Sequence, residues 1–188
     1  MRVLESSGAY TRHRLTRKQV TIINRYLTPI LKAHCNTFEL AGSWRRGATD
    51  IGDMDYIITD ADLSAMIAAM QEELHVHKVA RQGDKIATIV LKSTTGAEAQ
   101  VEFVNVPSRS VGAALLHSTG SGQFNVGLRT YARQKGYLLN QYALSKNGRY
   151  VAGRTEEEVF KKLTLHYIPP KDRNNDFWSV KSQYKIRE

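Results

Sequence analysis

Val20, Ile23, Leu27, Ile30 and Leu31 recur at three- and four-residue intervals, a spacing that predicts an amphipathic helix over residues 16–34, with a kink expected at Pro29. "FEL" (38–40) and "MDYIIT" (54–59) then predict strands. Leu63, Met66, Ile67, Met70 and Leu74 form a second helical stripe, with Asp62 placed as its N-cap. Two β-branched runs, "KIATIVLKS" and "AQVEFVNV", flank "TTGAE" and predict a hairpin. From residue 108 the pattern turns helical through Lys135. It breaks at Gly136 into the strand-like pieces "YLL" and "YAL", with Asn147-Gly148 marking a tight turn. A late helix, 155–163, precedes "YIPPKDRN". The pattern predicts an α+β fold, followed by a small, mostly helical C-terminal subdomain with a short sheet. The change at "PSRSVG" (107–112) divides the chain into residues 1–110 and 111–188.

Charge sharpens that division. The 188 residues carry 27 Lys and Arg against 18 Asp and Glu, a net +9, which points to a polyanionic partner such as nucleic acid or, alternatively, an anionic membrane surface. Residues 1–110 hold 14 basic and 12 acidic groups, whereas residues 111–188 hold 13 and 6. The single Cys35 forms neither an intrachain disulfide nor a zinc cluster, which predicts a reducing, intracellular setting and a core thiol. No run approaches the ~20 apolar residues of a membrane span, and the first residues lack the apolar centre of a secretory signal, so a soluble protein is expected. The first 34 residues hold seven basic groups and one acid, fitting either a nucleic-acid-facing arm or a solvated helix face with a disordered leader.

The candidate chemistry lies in "AGSWRRGATDIGDMDYIIT" (41–59). Residues two apart on a strand share a side, so Asp53 and Asp55 present paired carboxylates at the mouth of an apolar run. Like charges that close raise each other's pKa unless a cation intervenes, and oxygen-only donors suit Mg²⁺ or Mn²⁺. Gly42 offers close backbone approach, Ser43 a hydroxyl, and Arg45 and Arg46 two guanidinium groups for a triphosphate. A D-x-D at a strand start is also a common solvated turn. The ordered set G-S, R-R, G-D-x-D, apolar strand is much rarer.

"GSWRRGATDIGDMD" resembles the palm signature of the family X DNA polymerases, the group of DNA polymerase beta, within the wider nucleotidyltransferase superfamily. "HSTGSGQFNVGLRTYARQKGYLLNQYAL" (117–144) and "YIPPKDRN" resemble that family's later segments, so the likeness runs from the first helix nearly to the C-terminus. The resemblance implies a nucleotidyltransferase palm, a mixed sheet with flanking helices, over 1–110 and a nucleotide- and DNA-binding subdomain over 111–188. It places Gly42, Ser43, Arg46, Gly52, His117, Gly120, Ser121 and Asn125 around the nucleotide, with Gly120 and Ser121 near its sugar and Asn125 at the minor-groove edge of its base. It places Arg129, Arg133 and Lys135 on DNA. Phe124, Leu128 and Ala132 share one face of this predicted helix and Asn125, Arg129 and Arg133 the adjoining one, which without the resemblance reads as an exposed basic stripe. Three departures stand out: His117-Ser118 replaces the family's Tyr-Phe, Glu102 stands at its third Asp, and Gln100 at the Arg two residues earlier. The stretch before residue 16 leaves no length for the family's lyase domain, so the plan resembles the minimal two-domain viral members.

What the resemblance implies is a template-directed DNA polymerase that adds deoxynucleotides to a primer 3′-hydroxyl. Two Mg²⁺ or Mn²⁺ ions, about 3.5–4 Å apart, would be held by Asp53, Asp55 and Glu102, with Glu98 a weaker candidate. The expected partners are gapped or primed DNA and deoxynucleoside triphosphates, the expected role short-gap-filling repair, and the expected state an intracellular monomer in cytoplasm or nucleus. Two alternatives remain at this level: a template-independent or non-DNA nucleotidyltransferase, and a non-catalytic DNA-binding module on the same fold.

Overall fold

A computed structural model describes residues 14–94 and 96–186. The leader through residue 13, part of the expected basic arm, lies outside the described residues. Strand β1 (Leu15–Thr16) leads into α1 (Arg17–His34), which begins at a capping box: Thr16 and Gln19 each bond the other's backbone N–H. α1 runs as one helix through Pro29 and buries Val20, Leu27, Ile30 and Leu31. β2 (Thr37–Leu40), the single turn α2 (Gly42–Arg45), β3 (Asp50–Ile51) and β4 (Met54–Thr59) follow. α3 (Leu63–Glu73) starts at Asp62, whose carboxylate accepts from the N–H groups of Ser64 and Ala65. Then come β5 (Val76–Gln82), β6 (Ile86–Lys92) and β7 (Glu98–Val106).

These strands form a five-stranded sheet in the order β2-β4-β7-β6-β5, with β4 and β7 parallel and the other pairs antiparallel. Strand alternation sends Met54, Tyr56, Ile58, Val101 and Phe103 to one face, where they pack under α1 and α3 in the main core. Asp55, Ile57, Glu102 and Val104 therefore look the other way. Ile57 and Val104 are covered there by Ala114 and Leu115 of α4 (Val111–Thr119), while Asp55 and Glu102 lie beyond that cover, toward the N-terminal end of β4.

α4 joins the two halves. Ala114 and Leu115 face the sheet, and Leu116 belongs to the core of the C-terminal half. Its first N–H groups are held by that half, Gly112 donating to Arg154 O and Ala113 to Gly153 O. The backbone of Thr155 lies so close to Gly112 that any side chain there would overlap it. The helical stretch expected through Lys135 is broken at Gly120-Ser121, and α5 (Gly122–Gln134) begins with Ser121 as its N-cap. β8 (Leu138–Leu139), β9 (Leu144–Lys146) and β10 (Arg149–Ala152) make the short sheet, β9 and β10 turning at Asn147-Gly148, both at positive φ. α6 (Glu156–Lys162) is capped by Thr155, the "PPKDRN" stretch ends in a 3₁₀ turn, and α7 (Phe177–Lys181) follows it. Among the described residues no helix is long and apolar enough to cross a membrane. Cys35 is half-buried against the sulfur of Met66 at 3.7 Å, and burial pushes its thiol up to about 11.

Candidate active site

The site begins with a register. Asp55 on β4 is the direct partner of Glu102 on the parallel β7, so both carboxylates leave the same face on adjacent strands. Asp53 precedes β4 by one residue and acts electrostatically on Asp55. Burial first, then the negative charges of Asp53 and Glu102, push the Asp55 carboxyl up to about 7, against the pull of Arg46. Glu102 also accepts a long hydrogen bond from Thr88 on β6 at 3.5 Å. Glu98 stands at the far end of β7, opposite Lys92, with its carboxylate 3.6 Å from His77.

The turn that carries Gly42 is pinned to Asp55. Ala41 N–H donates to Asp55 O at 2.7 Å, and the chain then turns at Gly42 with φ +63° into α2. A Cβ on residue 42 would overlap Asp55 Oδ2. Glycine is required twice here, for the left-handed backbone and for the close approach. Arg17 fixes the same segment from α1, stacking 3.8 Å over Trp44 and donating to Trp44 O and Ala48 O. Gly52 lies beside Arg14, which pairs with Asp50.

The two arginines take different places. Arg46 remains near Asp55 while its guanidinium donates to Thr119 O and, at 2.9 Å, to Asn174 Oδ1. Arg45 is turned away into the C-terminal half, where it forks onto Glu156 at 3.0 and 2.8 Å, donates to Thr119 Oγ1, and also holds Glu39. The triphosphate role open to Arg45 in the sequence gives way to an ion-pair role, because all three of its guanidinium nitrogens are engaged. Thr119, Glu156, Arg173 and Asn174 thus belong to the surroundings of the site, and sequence reading missed them. Only the likeness of "YIPPKDRN" hinted at their importance.

From the other half, Gly120 stands within 3.4 Å of Arg46 and close to Asn125, measured from where its Cβ would be. Asn125 Nδ2 donates to His117 O at 2.6 Å, and burial together with the charge of Arg129 lowers the His117 pKa. A small cleft between His117, Asn125, Arg129 and Asn140 opens here. Ser121 is occupied as the α5 cap, and its N–H donates to Arg173 O. Arg129 and Arg133 are exposed on α5, whereas Lys135 donates to Thr164 Oγ1 at 3.1 Å and lies over Tyr131.

Among the described residues no three His, Cys, Asp or Glu side chains converge as a ready-made cage for a cation. The donor set nonetheless suits a hard divalent ion. It offers carboxylate oxygens only, and such an ion would relieve the repulsion from Asp53 and Glu102 that adds to burial in pushing Asp55 up.

Comparison with known proteins shows the family of the chain. Residues 14–110 match the DNA polymerase beta palm and residues 114–174 the DNA polymerase beta thumb. The chain is 29% identical to DNA polymerase lambda of Rattus norvegicus, over 71% of this chain and 28% of that protein. It is 27% identical to the DNA polymerase/3′-5′ exonuclease PolX of Bacillus subtilis, over 76% of this chain and 25% of that protein. A shorter match, 36% identical over 38% of the chain and 12% of the relative, links it to DNA polymerase IV of Saccharomyces cerevisiae. The chain therefore matches about a quarter or less of these relatives' length.

Proposed function

The chain belongs to the DNA polymerase beta family, family X, and from that premise we propose that it adds deoxynucleotides to a primer 3′-hydroxyl on gapped or primed DNA. The observation that carries the proposal is the Asp55–Glu102 register with Asp53 alongside, where burial first and then the charges of the other two carboxylates push Asp55 up to about 7. In this reading residues 1–110 form the catalytic palm and residues 111–188 the nucleotide- and DNA-binding part.

Asp53, Asp55 and Glu102 would hold Mg²⁺ or Mn²⁺, two ions that supply a primer hydroxyl of lowered pKa and neutralise the leaving pyrophosphate. The chain's own residues do the rest. Gly42 brings backbone against Asp55, Ser43 offers its hydroxyl, and Arg46 with the backbone at Gly52 faces the developing phosphate charge. Gly120, Ser121, Asn125 and His117 form the wall toward sugar and base. Arg129 and Arg133, exposed on α5, face the DNA backbone. Filling of short gaps in repair is the role this reading assigns to it.

Primer extension on one-nucleotide-gapped, primed and unprimed DNA, with and without Mg²⁺, tests the reading. Metal-dependent addition of the templated nucleotide to gapped and primed DNA is expected. Untemplated addition with no preference among nucleotides would favour a template-independent transferase, and no addition with retained DNA binding a non-catalytic module.

A further inference from the structure

The thumb match ends at residue 174, and the chain goes on to build α7. This helix starts at Asp176, whose carboxylate accepts the Trp178 N–H at 2.8 Å, and its first two side chains part company. Phe177 is fully buried, with its ring centre 5.7 Å from that of Phe124 and 5.4 Å from that of Tyr131. It sits against Gly127 of α5, where any Cβ would overlap it. Phe177 therefore anchors α7 in the core. Trp178 stays 43% exposed, its Nε1 edge 3.4 Å from where a Cβ on Gly127 would stand, and Val126 next to that glycine is 65% exposed.

Charge gathers at the same place. Lys181, three residues after Trp178, holds its ammonium 4.7 Å from the centre of the indole and 4.8 Å from that of the Tyr131 ring. Lys135 lies over the same Tyr131 ring at 5.3 Å. Among the described residues no carboxylate pairs with either lysine, and Asp176 is engaged as the α7 cap. α5 carries both the glycine that seats Trp178 and the exposed Arg129 and Arg133, so one helix joins this corner to the face assigned to DNA.

An exposed indole beside unpaired cations matches the two parts of a single strand, the face of a base and the phosphate next to it. The interior of a duplex offers the phosphates but hides the base faces. An exposed cation–π contact is weaker than base–aromatic stacking, so a base can take the place of the ammonium over the ring. We propose that Trp178 and Lys181 form a binding site for single-stranded DNA, in which an unpaired base stacks on the indole and the Lys181 ammonium moves to the adjoining phosphate. That the strand is the unpaired template ahead of the primer rests on the nucleotide-addition reading above; that the site takes a single strand does not.

Primed duplexes with a 5′ template overhang of thymidines, or of abasic residues over the same length, present equal phosphates with and without bases. Anisotropy titrations with no nucleotide present measure the difference. The parent should bind the thymidine overhang about tenfold more tightly than the abasic one. Trp178→Ala should bind the two alike, with its affinity for the abasic overhang within about threefold of the parent's. Trp178→Tyr, which keeps an aromatic face, should retain most of the preference. Lys181→Gln should flatten the log–log salt slope on the thymidine overhang by about 0.7. Iododeoxyuridine placed in the overhang should crosslink the parent at Trp178 on irradiation. Equal affinity of the parent for the two overhangs overturns the proposal, as does a preference that survives in Trp178→Ala or a crosslink confined to other residues. Should Trp178→Ala fail to fold, the crosslink in the parent and the Lys181→Gln slope decide. If the parent adds no nucleotide, the polymerase reading fails, and the two overhangs still test the site.

Discussion

The carboxylate of Asp55 occupies the space that a side chain on residue 42 would need. Gly42 and Asp55 therefore form one unit: the backbone at 42 can pass only because it has no Cβ, and the carboxylate is held where it is by that passage. Gly42→Ala is expected to cost about 1–2 kcal/mol of stability from its positive φ, and about a hundredfold in single-turnover incorporation from displacement of Asp55. Thermal melts and rapid-quench kinetics on the same preparation check both. Normal turnover in this variant would separate Asp55 from the chemistry.

Asp55 also predicts how the metal-free protein responds to pH. Its carboxyl stands at about 7 in the fold against an ordinary value of 3.8, so the folded state binds the proton more tightly than the unfolded chain. Stability is unaffected by this group below pH about 4, declines as pH rises toward 7, and stays reduced above it. Removing the charge reverses the loss. Asp55→Asn should be more stable than the parent at pH 8 by on the order of 2 kcal/mol, allowing for solvent screening, with the gap closing by pH 4. Added Mg²⁺ should raise the parent's melting temperature at pH 8 more than the variant's. A parent whose metal-free stability rises from pH 5 to pH 8 relative to Asp55→Asn would contradict this.

Much of the fold could be read from periodicity. The helices over 17–34 and 63–73, the buried strand at 54–59 and the hairpin of β6 and β7 all carry an apolar face repeating at 3.6 or 2 residues, and the structure has each of them. β5 was not legible. It is an edge strand, mostly exposed along "VHKVARQ", with no apolar face for a pattern to show. α2, β1 and β3 are too short for any period. The break at Gly120-Ser121 escaped because both flanking helices are apolar enough to read as one. For the site, strand alternation put Asp53 and Asp55 on one side and the family resemblance brought in Glu102, which the register sets opposite Asp55, whereas the Arg45–Glu156 pair joins residues 111 apart in sequence. No local pattern encodes such a contact.

Glu102 tests the third position of the carboxylate set. It is the register partner of Asp55, while Glu98 is drawn to His77 at the other end of the strand. Glu102→Ala is expected to be nearly inactive and Glu102→Asp to keep measurable activity. Glu98→Ala should behave as the parent. The added methylene of Glu loosens octahedral geometry, so Mn²⁺ should support the parent at least as well as Mg²⁺. Single-turnover incorporation in each metal checks this, and parent-like activity of Glu102→Ala would leave a two-carboxylate site.

The basic half predicts a salt dependence. Residues 103–155 hold seven Lys and Arg and no Asp or Glu. DNA affinity should fall steeply with salt, and Arg129→Gln or Arg133→Gln should each flatten the log–log slope by about one unit. Lys135→Gln should flatten it less, because that ammonium is bonded to Thr164. Equal effects at all three positions, or a salt-independent affinity, would count against this surface as the DNA contact.

The central claim is that Asp53 and Asp55 perform nucleotidyl transfer rather than hold the fold or the DNA. The most direct measurement is single-turnover addition of one templated nucleotide to gapped DNA by the parent, Asp53→Ala and Asp55→Ala, at matched DNA occupancy with Mg²⁺ present. The account predicts addition by the parent and a loss of about a thousandfold or more in both variants, with DNA affinity held within about threefold. Addition at the parent's rate by either variant, with its DNA bound equally well, would contradict it.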